Sequence, residues 1–203
     1  MTTIAIVDYG IGNLRSAEKA LQFVGADAFL TSDSARIAAA EAVVVPGVGN
    51  FGACMSALQA GGLAEVVRDC ATSRKPFLGI CVGMQMLFDG SDEAPRVPGL
   101  GVLKGNVKRL SDSERLPHIA WNTVAVSPDS RMFSGLGKNP WLYFVHSYAA
   151  VVTEESVTTH WTSYGHRFVC AVESGNVWAT QFHPEKSGSV GLSLLENFVK
   201  AAS

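Results

Sequence analysis

Over its first ninety residues the chain alternates short apolar runs with segments of helical spacing, and this alternation limits the possible folds more than any other feature. Thr3-Ile-Ala-Ile-Val7, Ala28-Phe-Leu-Thr31, Ala42-Val-Val-Val-Pro46 and Lys75-Pro-Phe-Leu-Gly-Ile80 each have the length of a buried strand. Helical patterning separates them. Leu14, Ala17, Leu21 and Val24 fall on one face, with Asn13 at the N-cap and Gly25 as the stop; residues 53–59 and 63–72 repeat the pattern. A further helix is expected over Met84 to Phe88, directly behind Cys81. Strand–helix–strand alternation implies right-handed crossovers and a mostly parallel central sheet with flanking helices, an α/β fold whose active residues sit at the carboxyl edge of the strands.

From Gly101 the pattern changes to short β-rich runs, over 105–110, 122–126, 141–152 and 168–173, which are expected as antiparallel additions to the sheet. A last strand, Val177-Trp-Ala-Thr-Gln-Phe182, leads into His183-Pro-Glu185, and a terminal helix should bury Val190, Leu194, Leu195, Phe198 and Val199. At 203 residues, 47% hydrophobic and 17% charged with 20 glycines, the chain is expected to form one domain, 1–203. Sixteen basic and 18 acidic residues, with no block of like charge, argue against a nucleic-acid partner. The amino terminus has no basic region before its first apolar run, and no stretch approaches the roughly 20 apolar residues of a membrane span, so no membrane role and a cytoplasmic location are expected. Cys54, Cys70, Cys81 and Cys170 form no C-x-x-C pair and no zinc-like pattern with histidine, so neither a metal nor a disulfide is expected.

Three clusters carry chemistry. Gly79-Ile-Cys81-Val-Gly83 has the G-x-nucleophile-x-G form, in which flanking glycines allow a sharp strand-to-helix turn that lifts the side chain above the sheet. A cysteine there meets the positive end of a helix dipole, which favours the thiolate that attacks carbonyl carbon. The bland alternative is a core cysteine beside packing glycines. His183-Pro-Glu185 closes another strand, where an imidazole can exchange protons with the thiol and the leaving amine while the carboxylate orients the ring. Pro46-Gly-Val-Gly49 can turn the N–H of Val48 or Gly49 into the site, and with the N–H of Val82 this makes an oxyanion donor pair. The same stretch spells G-x-G-x-x-G over Gly47–Gly52, which raises a nucleotide-binding rival. The rival is weak because the motif follows the third strand and the nearest acids, Glu65 and Asp69, fall in a helix.

Together these motifs resemble the class I (triad) glutamine amidotransferases, which use Cys, His and Glu in this chain order and have a flavodoxin-like sheet. The resemblance runs along nearly the whole chain, through Asp8–Ser16, Pro46–Gly52, Gly79–Phe88, Gly105-Asn-Val, Pro117-His-Ile-Ala-Trp-Asn122, Tyr143-Phe-Val-His-Ser-Tyr148 and Gln181–Ser187. Pro-Gly-Val-Gly and Tyr-Phe-Val-His-Ser-Tyr are most similar to the branch that serves as glutaminase subunit of imidazole glycerol phosphate synthases in histidine biosynthesis. That resemblance implies that L-glutamine is the substrate, that no cofactor is used, and that a separate (β/α)₈-barrel cyclase completes a heterodimer and consumes the ammonia. It further implies that Gln85, Glu93, Ser147 and Tyr148 help hold the glutamine backbone. Asn13, Trp121, Asn122, Tyr143 and Lys186 would lie toward the partner; the alternatives are core aromatics for Trp121 and Tyr143 and a solvated charge for Lys186. The branch usually has glycine where Ala120 stands and leucine where Val82 stands. If that glycine supplies a left-handed backbone, alanine costs roughly 1 kcal/mol there. The loop at Val48 is expected to be misaligned until a loaded partner docks.

Overall fold

The computed structural model describes residues Met1–Ser203. Twelve strands and six α-helices follow in the order β1 (Thr3–Val7), α1 (Leu14–Phe23), β2 (Asp27–Thr31), α2 (Ser34–Ala39), β3 (Ala42–Gly47), α3 (Phe51–Ala60), α4 (Ala64–Thr72), β4 (Phe77–Cys81) and α5 (Val82–Gln85), then β5 (Gly90–Ser91), β6 (Gly105–Arg109), β7 (His118–Thr123), β8 (Trp141–His146), β9 (Tyr148–Val152), β10 (Thr158–Tyr164), β11 (His166–Ser174), β12 (Val177–Thr180) and α6 (Gly188–Ala201). One 3-10 turn, Pro184–Lys186, precedes α6.

The main sheet runs β2-β1-β3-β4-β12-β11-β9-β6-β5, with β10 on β11. Neighbours from β2 to β12 are all parallel; β11 pairs antiparallel with β12, β9 and β10, and β9 with β6. Every residue of β3, β4 and β12 is buried, as expected of strands covered on both faces. One cluster of 57 buried apolar residues links the helices to both parts of the sheet. Strands β7 and β8 stand apart as a two-stranded antiparallel sheet.

Several sequence expectations shift. Asn13 occupies the N-cap position of α1, but its side chain caps nothing; its carbonyl accepts from Ser16 and Ala17, and its Oδ1 accepts from Ser16 Oγ at 2.9 Å. The helix behind Cys81 starts at Val82, not Met84, and is only four residues long. Helix α2 carries no sequence signal beyond Asp33, whose carboxylate accepts from the N–H groups of Ala35 and Arg36. The strand expected over 122–126 is β7, four residues earlier at its start, and the run 141–152 divides at Ser147 between the two sheets. Strand β10 was not anticipated because its inward residues, His160 and Thr162, are polar. Ala120 lies in β7 opposite Phe144, and Cys81 is the only non-glycine with positive φ, so alanine at position 120 carries no left-handed cost.

Candidate active site

Register alone gathers the site. In the parallel pairs Gly47 lies beside Cys81 and Thr180 beside Ile80, so the loop after β3, the turn after β4 and the segment after β12 all leave the sheet at one edge. Cys81 makes its turn with φ 56° and ψ −111°, and α5 begins at the next residue. The glycines around it are required by contact. A Cβ on Gly83 would lie 1.8 Å from the Val45 carbonyl oxygen, and one on Gly79 would lie 2.8 Å from the Gly83 oxygen. Only bare backbone lets β3, β4 and α5 approach this closely.

His183 and Glu185 are both almost fully buried, and the 3-10 turn between them folds the carboxylate back onto the ring. Nδ1–H donates to Glu185 Oε1 at 2.8 Å, because a carboxylate can only accept. That leaves Nε2 without a hydrogen-bond partner, in the wall of the cavity that Cys81 also lines. Burial pulls the imidazole down, but interaction with Cys81 and with Glu185 outweighs it, and the net effect raises His183 to about 10. The backbone of His183 is also anchored. Its N–H donates to the Tyr143 carbonyl at 3.0 Å, while Ser187 Oγ donates to the His183 carbonyl at 2.6 Å and accepts from Tyr143 N–H at 3.0 Å.

A cavity of about 270 Å³ opens on this edge. Cys81, His183, Val48, Gly49, Val82, Gln85, Glu93, Ser147 and Tyr148 all line it, and Glu185 stands behind His183. The N–H groups of Val48 and Gly49 make no backbone hydrogen bond, and Gly49 has φ +85°. Gln85 Nε2 donates to the Tyr148 carbonyl at 3.1 Å. Glu93 accepts from Phe51 N–H at 2.7 Å, and Asn50 Oδ1 from Ala53 N–H at 3.0 Å. Those two side chains occupy the start of α3, where a nucleotide phosphate would have to sit, and this removes the G-x-G-x-x-G rival. The other three thiols are unsuited to attack: burial pushes Cys54, Cys70 and Cys170 up. Sequence reasoning missed His146 and Pro117 in the cavity wall and Gln181 behind Cys81. The strand alternation through Tyr143-Phe-Val-His-Ser-Tyr148 was the available signal for His146.

A larger depression of about 580 Å³ lies over β9, β10 and β11, and it holds none of these groups. The residues expected toward a partner divide in two. Trp121 and Tyr143 are register partners on β7 and β8, with ring centroids 6.1 Å apart, and Trp121 is half exposed beside the exposed Ile119 and Trp141. Lys186 is exposed in the turn after His183, Asn13 lies at the start of α1, which packs on that turn, and Asn122 spends its side chain on the Ser163 carbonyl and the Thr123 N–H.

The family model described as glutamine amidotransferase class-I matches residues 5–202. Among relatives, the chain is 48% identical over 201 residues to imidazole glycerol phosphate synthase subunit HisH 1 of Methanococcus maripaludis, covering 97% of this chain and 98% of that one. It is 44% identical over 197 residues to the HisH subunit of Methanocaldococcus jannaschii, at 97% and 98% coverage. It is similar in fold to a crystal structure of glutamine amidotransferase (TM-score 0.78, 22% identity, 98% of each chain) and to the structure of PurLQS from Thermotoga maritima (TM-score 0.76, 20% identity, 99% and 97%). The chain therefore belongs to the class-I glutamine amidotransferases, within the HisH family of imidazole glycerol phosphate synthase subunits.

Proposed function

We propose that this chain, acting as one amidotransferase domain in the cytoplasm, hydrolyses L-glutamine at Cys81 and passes ammonia to a separate (β/α)₈-barrel cyclase of histidine biosynthesis. The reading rests above all on one observation: Cys81 and His183 share a 270 Å³ cavity while Glu185 holds the far side of the imidazole at 2.8 Å. The Cys81 thiolate attacks the carboxamide carbon, and the oxyanion is met by N–H groups of Val82 and of Val48 or Gly49. The C–N bond then breaks as His183 gives its Nε2 proton to the leaving ammonia, which leaves a γ-glutamyl thioester. Water attacks that thioester, His183 takes its proton, and glutamate departs as the sulfur regains its charge. Glu185 keeps the ring in the tautomer both half-reactions need.

Gln85, Glu93, Ser147 and Tyr148 supply the polar wall for the amino-acid end of glutamine. The exposed face of Ile119, Trp121, Trp141 and Tyr143, together with Lys186 and Asn13, forms the docking side for the cyclase. The N–H groups of Val48 and Gly49 are held in reserve until docking turns them inward, which restrains glutamine use by the isolated chain. Cys81→Ala, assayed with purified cyclase, tests the assignment. Glutamine-driven product should vanish while ammonia-driven product continues. Unchanged use of glutamine would reject Cys81 as the nucleophile.

A further inference from the structure

Behind the nucleophile lies a buried polar side chain that the triad does not use. Gln181, fully buried between β12 and His183, points Nε2 at Cys81 Sγ, 3.6 Å away. Its neighbours decide which end of the amide meets the sulfur. The Tyr148 carbonyl can only accept, and it receives His146 Nδ1–H at 2.8 Å and one hydrogen of Gln85 Nε2 at 3.1 Å. The second hydrogen of Gln85 Nε2 goes to Gln181 Oε1 at 2.9 Å. Turning Gln181 over would set one amino group against another, so its oxygen belongs to Gln85 and an N–H belongs to the sulfur. With Nδ1–H committed to Tyr148, His146 offers Nε2 as the acceptor for His118 Nδ1–H at 3.2 Å. Two donor runs thus meet at the Tyr148 carbonyl, one from His118 through His146 and one from Gln85, whose other hydrogen leads through Gln181 to the reacting atom.

We infer that Gln181 is a positioning residue of the glutaminase reaction, holding Cys81 Sγ at the cavity and donating a hydrogen bond to its thiolate. This rests on Cys81 being the nucleophile. A hydrogen bond to an anion is stronger than one to a neutral acceptor, so the N–H serves the sulfur where it carries charge. That happens twice per turnover: before attack on the carboxamide, and as the S–C bond of the thioester breaks and the electron pair returns to sulfur. Neither step consumes the Gln181 proton.

Gln181→Met keeps the length of the side chain and removes both donor and acceptor; Gln181→Glu keeps an oxygen for Gln85 and sets a carboxylate oxygen toward the sulfur. Each is assayed in the full complex with cyclase for glutamine-driven and ammonia-driven turnover. The rate of iodoacetamide alkylation at Cys81 is followed against pH in parallel. Glutamine-driven kcat should fall on the order of 10–100-fold, KM should stay within about threefold, and the alkylation profile should move to higher pH, with ammonia-driven turnover intact and Gln181→Glu the slower variant. A wild-type kcat and alkylation profile in Gln181→Met overturns the inference. If Gln181→Met does not fold, shown by loss of a cooperative urea-unfolding transition and of cyclase binding, Gln181→Glu carries the same expectation and the same refutation. Cys81→Ala separates the two claims: if it is dead while Gln181→Met is normal, only the role of Gln181 fails, whereas an active Cys81→Ala removes the nucleophile itself.

Discussion

The parallel strands and the β7–β8 hairpin use apolar residues in opposite ways. In β3, β4 and β12 every side chain is buried, and the contact of Gly83 with the Val45 carbonyl leaves no room for a methyl group. On the hairpin, Ile119, Trp121 and Trp141 are 58%, 50% and 57% exposed. The first region satisfies fold and chemistry with the same atoms, since the close approach that packs the sheet also forms the turn at Cys81. The second carries apolar surface that the fold does not consume. Such surface, rimmed by polar groups, belongs to recognition.

That contrast can be broken by experiment. Gly83→Ala should have the largest effect, because backbone on both sides must shift; we expect a loss of more than about 3 kcal/mol in urea unfolding. Wild-type stability there would show that the packing of β3 on α5 is not what holds the turn at Cys81. Trp121→Ala combined with Trp141→Ala should leave stability within about 0.5 kcal/mol of wild type yet weaken cyclase binding by about 10–100-fold, read by titration calorimetry. Equal affinity would move the docking face elsewhere. The smallest effect concerns pH. Burial lowers His118 to about 4 and His146 to about 3 from an ordinary 6.5, with His118 facing His146, and with His183 also bearing on His146. Below pH 6.5 the unfolded chain binds protons that these native imidazoles refuse, so stability falls as pH drops toward 4. The opposite holds for His183, whose raised value gives stability that is lost as pH climbs from 6.5 toward about 10. His118→Leu should flatten the acid limb by a fraction of a proton and leave the alkaline limb alone; an unaltered acid slope would assign it to other groups.

The parallel half was legible because strand length, glycine punctuation and helical spacing there all agree with burial. The hairpin was misread for an equally physical reason. Along His118-Ile-Ala-Trp-Asn-Thr123 the large apolar residues point outward and a histidine points in, so the alternation is inverted relative to the core. Strand β10 repeats the difficulty with His160 and Thr162, whose polar atoms find partners only in the folded chain: His160 meets Glu173 at 3.0 Å and Thr162 the Thr123 carbonyl at 2.7 Å. At the site, Cys81, His183 and Glu185 stood out by residue type and strand-end position. Gln181 did not, because the way its amide faces is fixed by Gln85, 96 positions away, and through it by the Tyr148 carbonyl, 33 positions away.

Cys81 holds the one left-handed backbone in the chain that is not glycine, a conformation that disfavours any Cβ by roughly 1–2 kcal/mol. Glycine would rest there without strain, so Cys81→Gly should outlast Cys81→Ala on heating. With Cys81 as the proposed nucleophile, durability and turnover make competing demands on one residue, and the working protein carries at position 81 a tension that an inert version of itself would shed.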